Sequence, residues 1–259
     1  MSRVKRRGFN WSPNPKLSID WPQAYVEMGE TAENVAQKWN ITREQQEQFA
    51  YESHIKSSKA VSDGNFSDEL IEINSDSASV SDDGCIRFEP SIEAMSGLRP
   101  VFSDSGTVTA ATSSPLTDGA TALIVCSEEF ASSHGLQPLV RIVSGTATGC
   151  KPELMGMGPV SATQKVLENA NWEIDSVDLF EINEAFSSQS LAVISELGID
   201  IGRVNIDGGA ISIGHPLGAS GARITGKAAS LLNRTGGKRA IATMCIGGGM
   251  GMAMALEKI

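Results

Sequence analysis

The chain has few of the residues that build metal centres, disulfide frameworks or membrane spans. Its 259 residues include four cysteines, with no C-x-x-C pair, and three histidines, too few for a structural zinc site or a disulfide framework. No apolar run approaches the ~20 residues that cross a bilayer, and no apolar segment follows the basic residues at the start. The sequence therefore predicts a cytoplasmic protein without a metal site.

Positive charge is also scarce. Lys and Arg number 21 against 31 Asp and Glu, which gives a formal net charge of −10. Non-specific nucleic-acid binding needs a basic surface that displaces phosphate counterions, so this balance argues against a nucleic-acid partner. The one basic cluster, within Arg3–Arg7, is interpreted as a solvated tail, with a docking arm for an acidic partner as the alternative. It belongs to residues 1–24, which are expected to form an extended arm.

Apolar periodicity divides the rest of the chain into helices and strands. Thr42-x-x-Gln45 is a capping box, and it predicts a helix that runs to a stop at Gly64, after a first helix that begins near Glu30. From about Gly119 strands and helices alternate, which predicts an α/β fold with helices on both faces of a mixed sheet. The predicted strands are 122–125, 139–143, 177–182, 204–207, 239–244 and 250–256, with 85–88 as a short strand, and the later predicted helices are 127–134, 159–171, 184–197 and 219–232.

Two unusual loops follow predicted strands, at the place where open α/β sheets build their sites. In Asn183–Phe186 the asparagine is either an ordinary helix cap or a side chain that points into a pocket. Residues 208–221 place five glycines in fourteen positions around His215. Held between glycine and proline before a helix, this histidine is suited to acid–base chemistry, whereas His54 and His134 are interpreted as structural.

A third loop, Cys245–Gly251, also follows a predicted strand. Its glycines suggest a nucleotide-binding loop, but a dinucleotide fingerprint needs a following helix and an acidic residue about 20 positions on. A strand follows here and the chain ends at Ile259, so we reject that interpretation. A cysteine in this place can act as a base or a nucleophile while a backbone N–H stabilises an oxyanion.

Asparagine, histidine and cysteine on three successive loops suit acyl-CoA carbon chemistry, which needs a base, an oxyanion hole and a thiol. In residues, order and spacing the loops resemble the signature loops of thiolases. The resemblance extends from about Met28 to the C-terminus and includes Met28–Ala36, Leu98–Pro100 and Gly106–Gly119. It implies a thiolase-like layered α-β-α-β-α fold with mixed sheets and an incomplete N-terminal half. The implied division is an arm (1–24), a loop domain with the remainder of the N-terminal half (25–127) and a C-terminal thiolase domain (128–259).

The resemblance also implies roles for individual residues. His215 would activate a nucleophilic cysteine and, with a water held by Asn183, stabilise an enolate oxygen. Cys245 would be the base that takes the α-proton of acetyl-CoA or would protonate the leaving carbanion. The Gly247 N–H would form half of a second oxyanion hole. No cofactor is implied, because coenzyme A is part of the substrate. Six further residues match positions that contact pantetheine or acyl groups, with simple packing as the alternative: Met28, Phe102, Ala110, Ser114, Met155 and Phe186.

The expected nucleophile is missing from the sequence. Thiolases carry it in a Cys-x-Ser-Gly loop, and no such loop occurs among these residues. Cys126, at the end of a predicted strand, is the best substitute but is interpreted as a packed cysteine. Glu27 stands where short-chain thiolases usually place a histidine. Because the chain begins with its own methionine and arm, we expect a separate gene product whose half sheet requires an obligate partner.

The leading hypothesis is a subunit of a split thiolase. A smaller chain would supply the Cys-x-Ser-Gly loop, and two copies of each chain would assemble. The complex would catalyse reversible Claisen condensation of acyl-CoA with acetyl-CoA, or thiolysis of 3-ketoacyl-CoA. The alternative is a non-catalytic CoA-binding or regulatory scaffold, and a third hypothesis is a truncated product with no stable fold. Retention of Asn183, His215 and Cys245 favours the enzyme.

Overall fold

The computed structural model describes residues 13–76 and 78–259. Its helices are α1 (Pro15–Asp20), α2 (Met28–Lys38), α3 (Arg43–Ser62), α4 (Ile92–Ser96), α5 (Glu128–Ser133), α6 (Gly158–Ala170), α7 (Ser187–Leu197), α8 (Ala210–Ile213) and α9 (Ser220–Thr235). Its strands are β1 (Ile73–Asn74), β2 (Ser79–Val80), β3 (Val140–Gly149), β4 (Leu179–Ile182), β5 (Arg239–Ile246) and β6 (Met250–Lys258). Single 3₁₀ turns lie at Pro22–Tyr25, Pro152–Met157, Ile174–Ser176 and Ile201–Arg203.

The predicted arm is helical where the structure describes it. Helix α1 begins with Pro15, and the Asn14 side chain accepts hydrogen bonds from the backbone N–H groups of Lys16 and Leu17. Proline at the first helical position and asparagine at the N-cap both favour a helix start, so these prolines initiate structure instead of preventing it. The basic cluster within Arg3–Arg7 lies outside the described residues.

One mixed sheet of four strands organises the second half of the chain, in the order β3-β6-β5-β4. The β3–β6 and β6–β5 pairs are antiparallel, and β4–β5 is parallel. A three-residue turn, 247–249, joins β5 to β6, with φ of 91° at Gly248 and 89° at Gly249. Only glycine adopts this conformation without strain, which explains the glycine run. The predicted strand pair 239–244 and 250–256 is confirmed.

Helices cover both faces of this sheet, as predicted. Alternate side chains of each strand point to opposite faces. Leu231 and Leu232 of α9 pack on one face, against Leu179, Ala240, Ala242 and Leu256. The other face packs against α6 and α7 through Phe180, Ile182, Ile241, Ala253 and Ala255. The sheet therefore has a buried apolar cluster on each face.

The predicted capping box is confirmed at the start of α3. Thr42 Oγ1 accepts a hydrogen bond from the Gln45 N–H at 3.3 Å, and Gln45 Oε1 accepts one from the Thr42 N–H at 2.8 Å. The helix ends at Ser62, and Gly64 follows with a φ of 72°. The local sequence therefore sets both ends of this helix.

Three predicted strands do not form. Residues 122–125 have no regular secondary structure, residues 85–88 form a turn and bend, and residues 204–207 contribute a single bridge between Val204 and Phe180. A strand needs a hydrogen-bonded neighbour, and the described residues supply none beside 122–125. Cys126 is consequently exposed, not packed as predicted.

Within the described part of the chain, no helix is both long enough and apolar enough to span a bilayer.

Candidate active site

Two of the three predicted loops, those of Asn183 and His215, meet at one edge of the sheet. Asn183 directly follows β4, and its buried backbone N–H donates to the Thr243 carbonyl of β5 at 3.0 Å. Its side-chain Nδ2 lies 3.4 Å from Nε2 of His215, which follows α8. The predicted amide and histidine are therefore neighbours, although 32 residues separate them in the chain.

Cys245 lies two residues beyond Thr243 on the same strand. It is inside β5, paired with Gly251 of β6, whereas the sequence analysis placed it after the strand. The thiol is 7% exposed and packs in a small apolar cluster. Four of the six predicted substrate contacts belong to this cluster or pack against it: Met28, Phe102, Met155 and Phe186.

The remaining predicted residues lie around this cluster in different settings. Gly247 is in the β5–β6 turn, where an added Cβ would lie 3.2 Å from the Met28 sulfur. Ser114 donates its backbone N–H to the Ala185 carbonyl at 3.0 Å, beside the Asn183 loop. Ala110 is exposed on the loop that precedes it. The phenyl rings of Phe102 and Phe186 meet edge to face, with centroids 5.9 Å apart.

An irregular segment, residues 112–119, connects the Asn183 and His215 loops. The Thr112 carbonyl accepts the Ser187 N–H at 2.9 Å, and the Pro115 carbonyl accepts the His215 N–H at 3.2 Å. Gly119 lies against Pro216, where an added Cβ would be 2.8 Å from the proline ring. This segment therefore holds both loops through backbone hydrogen bonds.

Glu184 fixes the His215 loop from the buried side. Its carboxylate accepts hydrogen bonds from Ser53 Oγ at 2.7 Å, Asn205 Nδ2 at 2.8 Å and the Ile211 N–H at 3.2 Å. The residue is 1% exposed. An added Cβ on Gly209 would lie 2.4 Å from this carboxylate, so only glycine fits beneath it. The carboxylate joins α3, the chain after β4 and the start of the histidine loop.

Burial sets the protonation states of the histidine and the cysteine. Burial, assisted by the positive charge of Arg223, lowers the pKa of His215 to about 4. Burial raises the pKa of Cys245 to about 12, although a backbone hydrogen bond opposes the increase. Near neutral pH the site therefore contains a neutral imidazole, which can accept a proton, and a neutral thiol, which can donate one.

The structure adds three polar residues for which the sequence analysis proposed no role. Ser220 Oγ lies 2.6 Å from His215 Nδ1, and an Arg223 guanidinium N–H donates to Asn183 Oδ1 at 3.5 Å. Glu181, inside β4, is 1% exposed. A carboxylate within an apolar strand was a usable signal in the sequence. The other two contacts depend on how α9 packs.

No metal site stands out among residues 13–76 and 78–259. No three His, Cys, Asp or Glu side chains there converge on a point that could hold a metal ion. Burial and the nearby Glu153 carboxylate raise the pKa of Cys150, and Cys85 is half-buried. A low-pKa thiolate is the form that a nucleophile needs, and the surroundings of Cys150 have the opposite effect on its thiol.

Comparison with known proteins identifies this arrangement. The thiolase N-terminal domain model matches residues 19–129, and the thiolase C-terminal domain model matches residues 136–258. The acetyl-CoA acetyltransferase of Shinella zoogloeoides is 47% identical over 90% of this chain and 60% of its own length. The 3-ketoacyl-CoA thiolase of Bacillus subtilis is 42% identical over 99% of this chain and 69% of its own length.

Solved structures agree. Human mitochondrial 3-ketoacyl-CoA thiolase in complex with CoA superimposes with a TM-score of 0.90 at 38% identity, over 98% of this chain and 67% of that one. The acetyl-CoA acetyltransferase of Bacillus anthracis gives 0.87 at 43% identity, over 90% and 60%. This chain thus spans roughly 60% to 69% of the length of these relatives. It has the thiolase fold, and it belongs to the thiolase family.

Proposed function

We propose that this chain is one subunit of a split thiolase, with acyl-CoA and 3-ketoacyl-CoA as substrates and a nucleophilic cysteine supplied by a second, smaller chain. One observation carries the proposal: a neutral His215 in contact with Asn183, on the strand edge that also carries the buried Cys245 thiol. A protein that only bound CoA would not need both a neutral imidazole and a buried thiol near the ends of two paired strands. Family membership supports the same chemistry.

In the proposed thiolysis, His215 Nε2 takes the proton of the partner's thiol. The resulting thiolate attacks the 3-keto carbon of the substrate, and the Gly247 N–H stabilises the tetrahedral oxyanion. Collapse of this intermediate breaks the C2–C3 bond, and the electron pair passes to the departing acetyl-CoA enolate. The protonated His215 and a water held by Asn183 stabilise the enolate oxygen.

Cys245 completes the cycle. Its thiol gives a proton to the enolate carbon, which releases acetyl-CoA. The Cys245 thiolate then takes the proton of free CoA, whose sulfur attacks the acyl group on the partner's cysteine. His215 returns its proton to the departing thiolate. The same steps in reverse form the carbon–carbon bond, so the proposal covers condensation as well as thiolysis.

The exposed apolar segment 122–125 supports the proposal that the partner docks there. Leu123, Ile124 and Val125 are 44%, 91% and 70% exposed. An added Cβ on Gly226 of α9 would lie 3.0 Å from a Leu123 methyl group, so the segment lies along this helix. Consecutive exposed aliphatic side chains with high strand propensity are typical of a strand that lacks its neighbour. We propose that a strand of the partner pairs here, within a complex of two copies of each chain.

The proposed function is tested by reconstitution. The chain is produced alone and together with the product of its neighbouring gene, for which we expect a Cys-x-Ser-Gly loop, and cleavage of acetoacetyl-CoA by free CoA is assayed. We expect activity only when both chains are present. A soluble chain that binds CoA but is inactive in both preparations would overturn the proposal in favour of the scaffold alternative. An insoluble chain that co-production does not rescue would favour the truncated product.

Ile124→Glu tests the docking segment. Burying a carboxylate in an apolar strand interface is unfavourable, so we expect complex formation to weaken at least tenfold. Ile19→Glu is the matched control, because Ile19 is 80% exposed and belongs to the short helix α1, outside residues 122–125. Native mass spectrometry measures both. If the two variants assemble equally well, the partner does not dock on residues 122–125.

A further inference from the structure

A chain of four hydrogen bonds runs through His215. On one side, Ser220 Oγ lies 2.6 Å from His215 Nδ1 and donates to the Pro216 carbonyl at 3.1 Å. On the other side, His215 Nε2 lies 3.4 Å from Asn183 Nδ2, and Asn183 Oδ1 accepts from Arg223 at 3.5 Å. Ser220 and Asn183 are both 0% exposed, and His215 between them is half-buried.

The two ends of this hydrogen-bond chain fix the direction in which its bonds are donated. A backbone carbonyl only accepts hydrogen bonds, and a guanidinium only donates them. Ser220 has one hydroxyl proton, and when that proton goes to the Pro216 carbonyl at 3.1 Å, the 2.6 Å contact with His215 places a proton on Nδ1. Arg223 donates to the amide oxygen of Asn183, which leaves the amide N–H to donate to Nε2, and Nε2 must then carry a lone pair.

We propose that Ser220 and Arg223 are positioning residues that hold His215 in the tautomer with its proton on Nδ1 and an unprotonated Nε2. The Arg223 end of the hydrogen-bond chain leads to this tautomer, and the Ser220 end is compatible with it. Its catalytic meaning rests on the proposed function, since the unprotonated Nε2 is the atom that would take the proton of the partner's thiol. It also orients the Asn183 amide with its N–H group toward the histidine.

The fold explains why one helix can control both sides of the imidazole. Ser220 is the first residue of α9, and Arg223 is three residues later, on the same side of the first turn. His215 precedes the helix by five residues and lies between them. The packing of α9 on the sheet therefore places the Ser220 hydroxyl beside Nδ1 and, through Arg223, fixes the Asn183 amide beside Nε2.

The charges around Arg223 favour its positively charged guanidinium, which is the donor at this end of the hydrogen-bond chain. Burial lowers the pKa of Arg223, but four carboxyl groups oppose this decrease: Glu181, Glu184, Asp83 and Glu69. Arg223 in turn helps burial to keep His215 neutral. A neutral imidazole has two tautomers of similar energy in water, and its surroundings select one. The hydrogen-bond chain is the part of the surroundings that distinguishes the two nitrogens.

Nitrogen-15 NMR of the histidine-labelled full-length chain tests the proposal without any substrate. The chain has three histidines, and a His215→Asn variant identifies the signals of His215. At pH 7 we expect a protonated, pyrrole-type Nδ1 and an unprotonated, pyridine-type Nε2. The opposite pattern in the wild-type protein would overturn the proposal, whether or not any variant folds.

Variants identify which residues set the tautomer. Ser220→Ala removes the acceptor on Nδ1, and Arg223→Met frees the Asn183 amide to turn, so each is expected to raise the Nε2-protonated population at least about threefold. Thr225→Val is the matched control, because Thr225 Oγ1 makes the same type of bond, to the Gly221 carbonyl at 2.8 Å, on the same helix. Unchanged His215 signals in both variants would overturn the assignment of Ser220 and Arg223.

These results separate the inference from the proposed function. If the chain has the expected tautomer but never shows thiolase activity, the proposed function is refuted and the inference stands. An active complex with the proton on Nε2 would refute the inference alone. In an active complex, Ser220→Ala is expected to slow acylation of the partner's cysteine about tenfold or more while leaving CoA affinity unchanged.

Discussion

Glu181→Gln tests whether a carboxyl group buried in the sheet is held in its neutral form. Glu181 is 1% exposed within β4, and its Oε1 has no hydrogen-bond partner among the described residues. Burial raises its pKa to about 8, although the positive charges of Arg223 and Lys227 oppose the increase. Near pH 7 the side chain is therefore mostly protonated, and glutamine has the same shape and charge as this neutral acid.

The pH dependence of the stability follows from this shift. The unfolded chain releases the Glu181 proton near its ordinary pKa of 4.5, while the folded protein keeps it up to about pH 8. Between these values the folded state binds the extra proton, so the free energy of unfolding falls as the pH rises, by at most about 1.4 kcal/mol per pH unit. From pH 5.5 to 7.5 the wild type should lose about 2.5 kcal/mol relative to Glu181→Gln.

Urea unfolding of both proteins at fixed ionic strength measures this difference. His54 and His215 are present in both proteins, so their own titrations cancel. Glu168→Gln is the control, because the Glu168 carboxylate is exposed and pairs with Lys165 on the surface of α6. Its stability should follow the wild type at each pH. If the free energies of unfolding of Glu181→Gln and the wild type changed in parallel with pH, Glu181 would be ionised in the folded protein, and burial would not hold it in the neutral form.

Two further predictions follow from the proposed mechanism. His215→Ala should suppress acylation of the partner's cysteine by about 10²- to 10⁴-fold, measured as acyl-enzyme by intact-protein mass spectrometry, and normal acylation would contradict the activating role. Cys245→Ser should slow carbon–carbon bond formation by a similar factor while acylation stays measurable, because serine is a much weaker acid and base partner. Equal loss of both steps would contradict the proton-transfer role of Cys245.

The helices and the β5–β6 hairpin were accessible from the sequence because their signals are local. The capping box at Thr42 and the glycine turn before Met250 act within a few residues, and both form as predicted. The failed strand at 122–125 shows the opposite case. Its composition favours a strand, but the hydrogen bonds of a strand depend on a neighbour that no local pattern supplies.

The sequence by itself determined which chemical groups this protein has: an amide, an imidazole and a thiol on three loops, Asn183, His215 and Cys245, in the order and spacing of a thiolase. Only the tertiary structure decided how those groups are set. The packing of α9 brings Ser220 and Arg223 to the two sides of the histidine, and burial sets the charge of the imidazole and the thiol. Contacts between residues far apart in the chain, and the exclusion of water from them, have no local signature in the sequence.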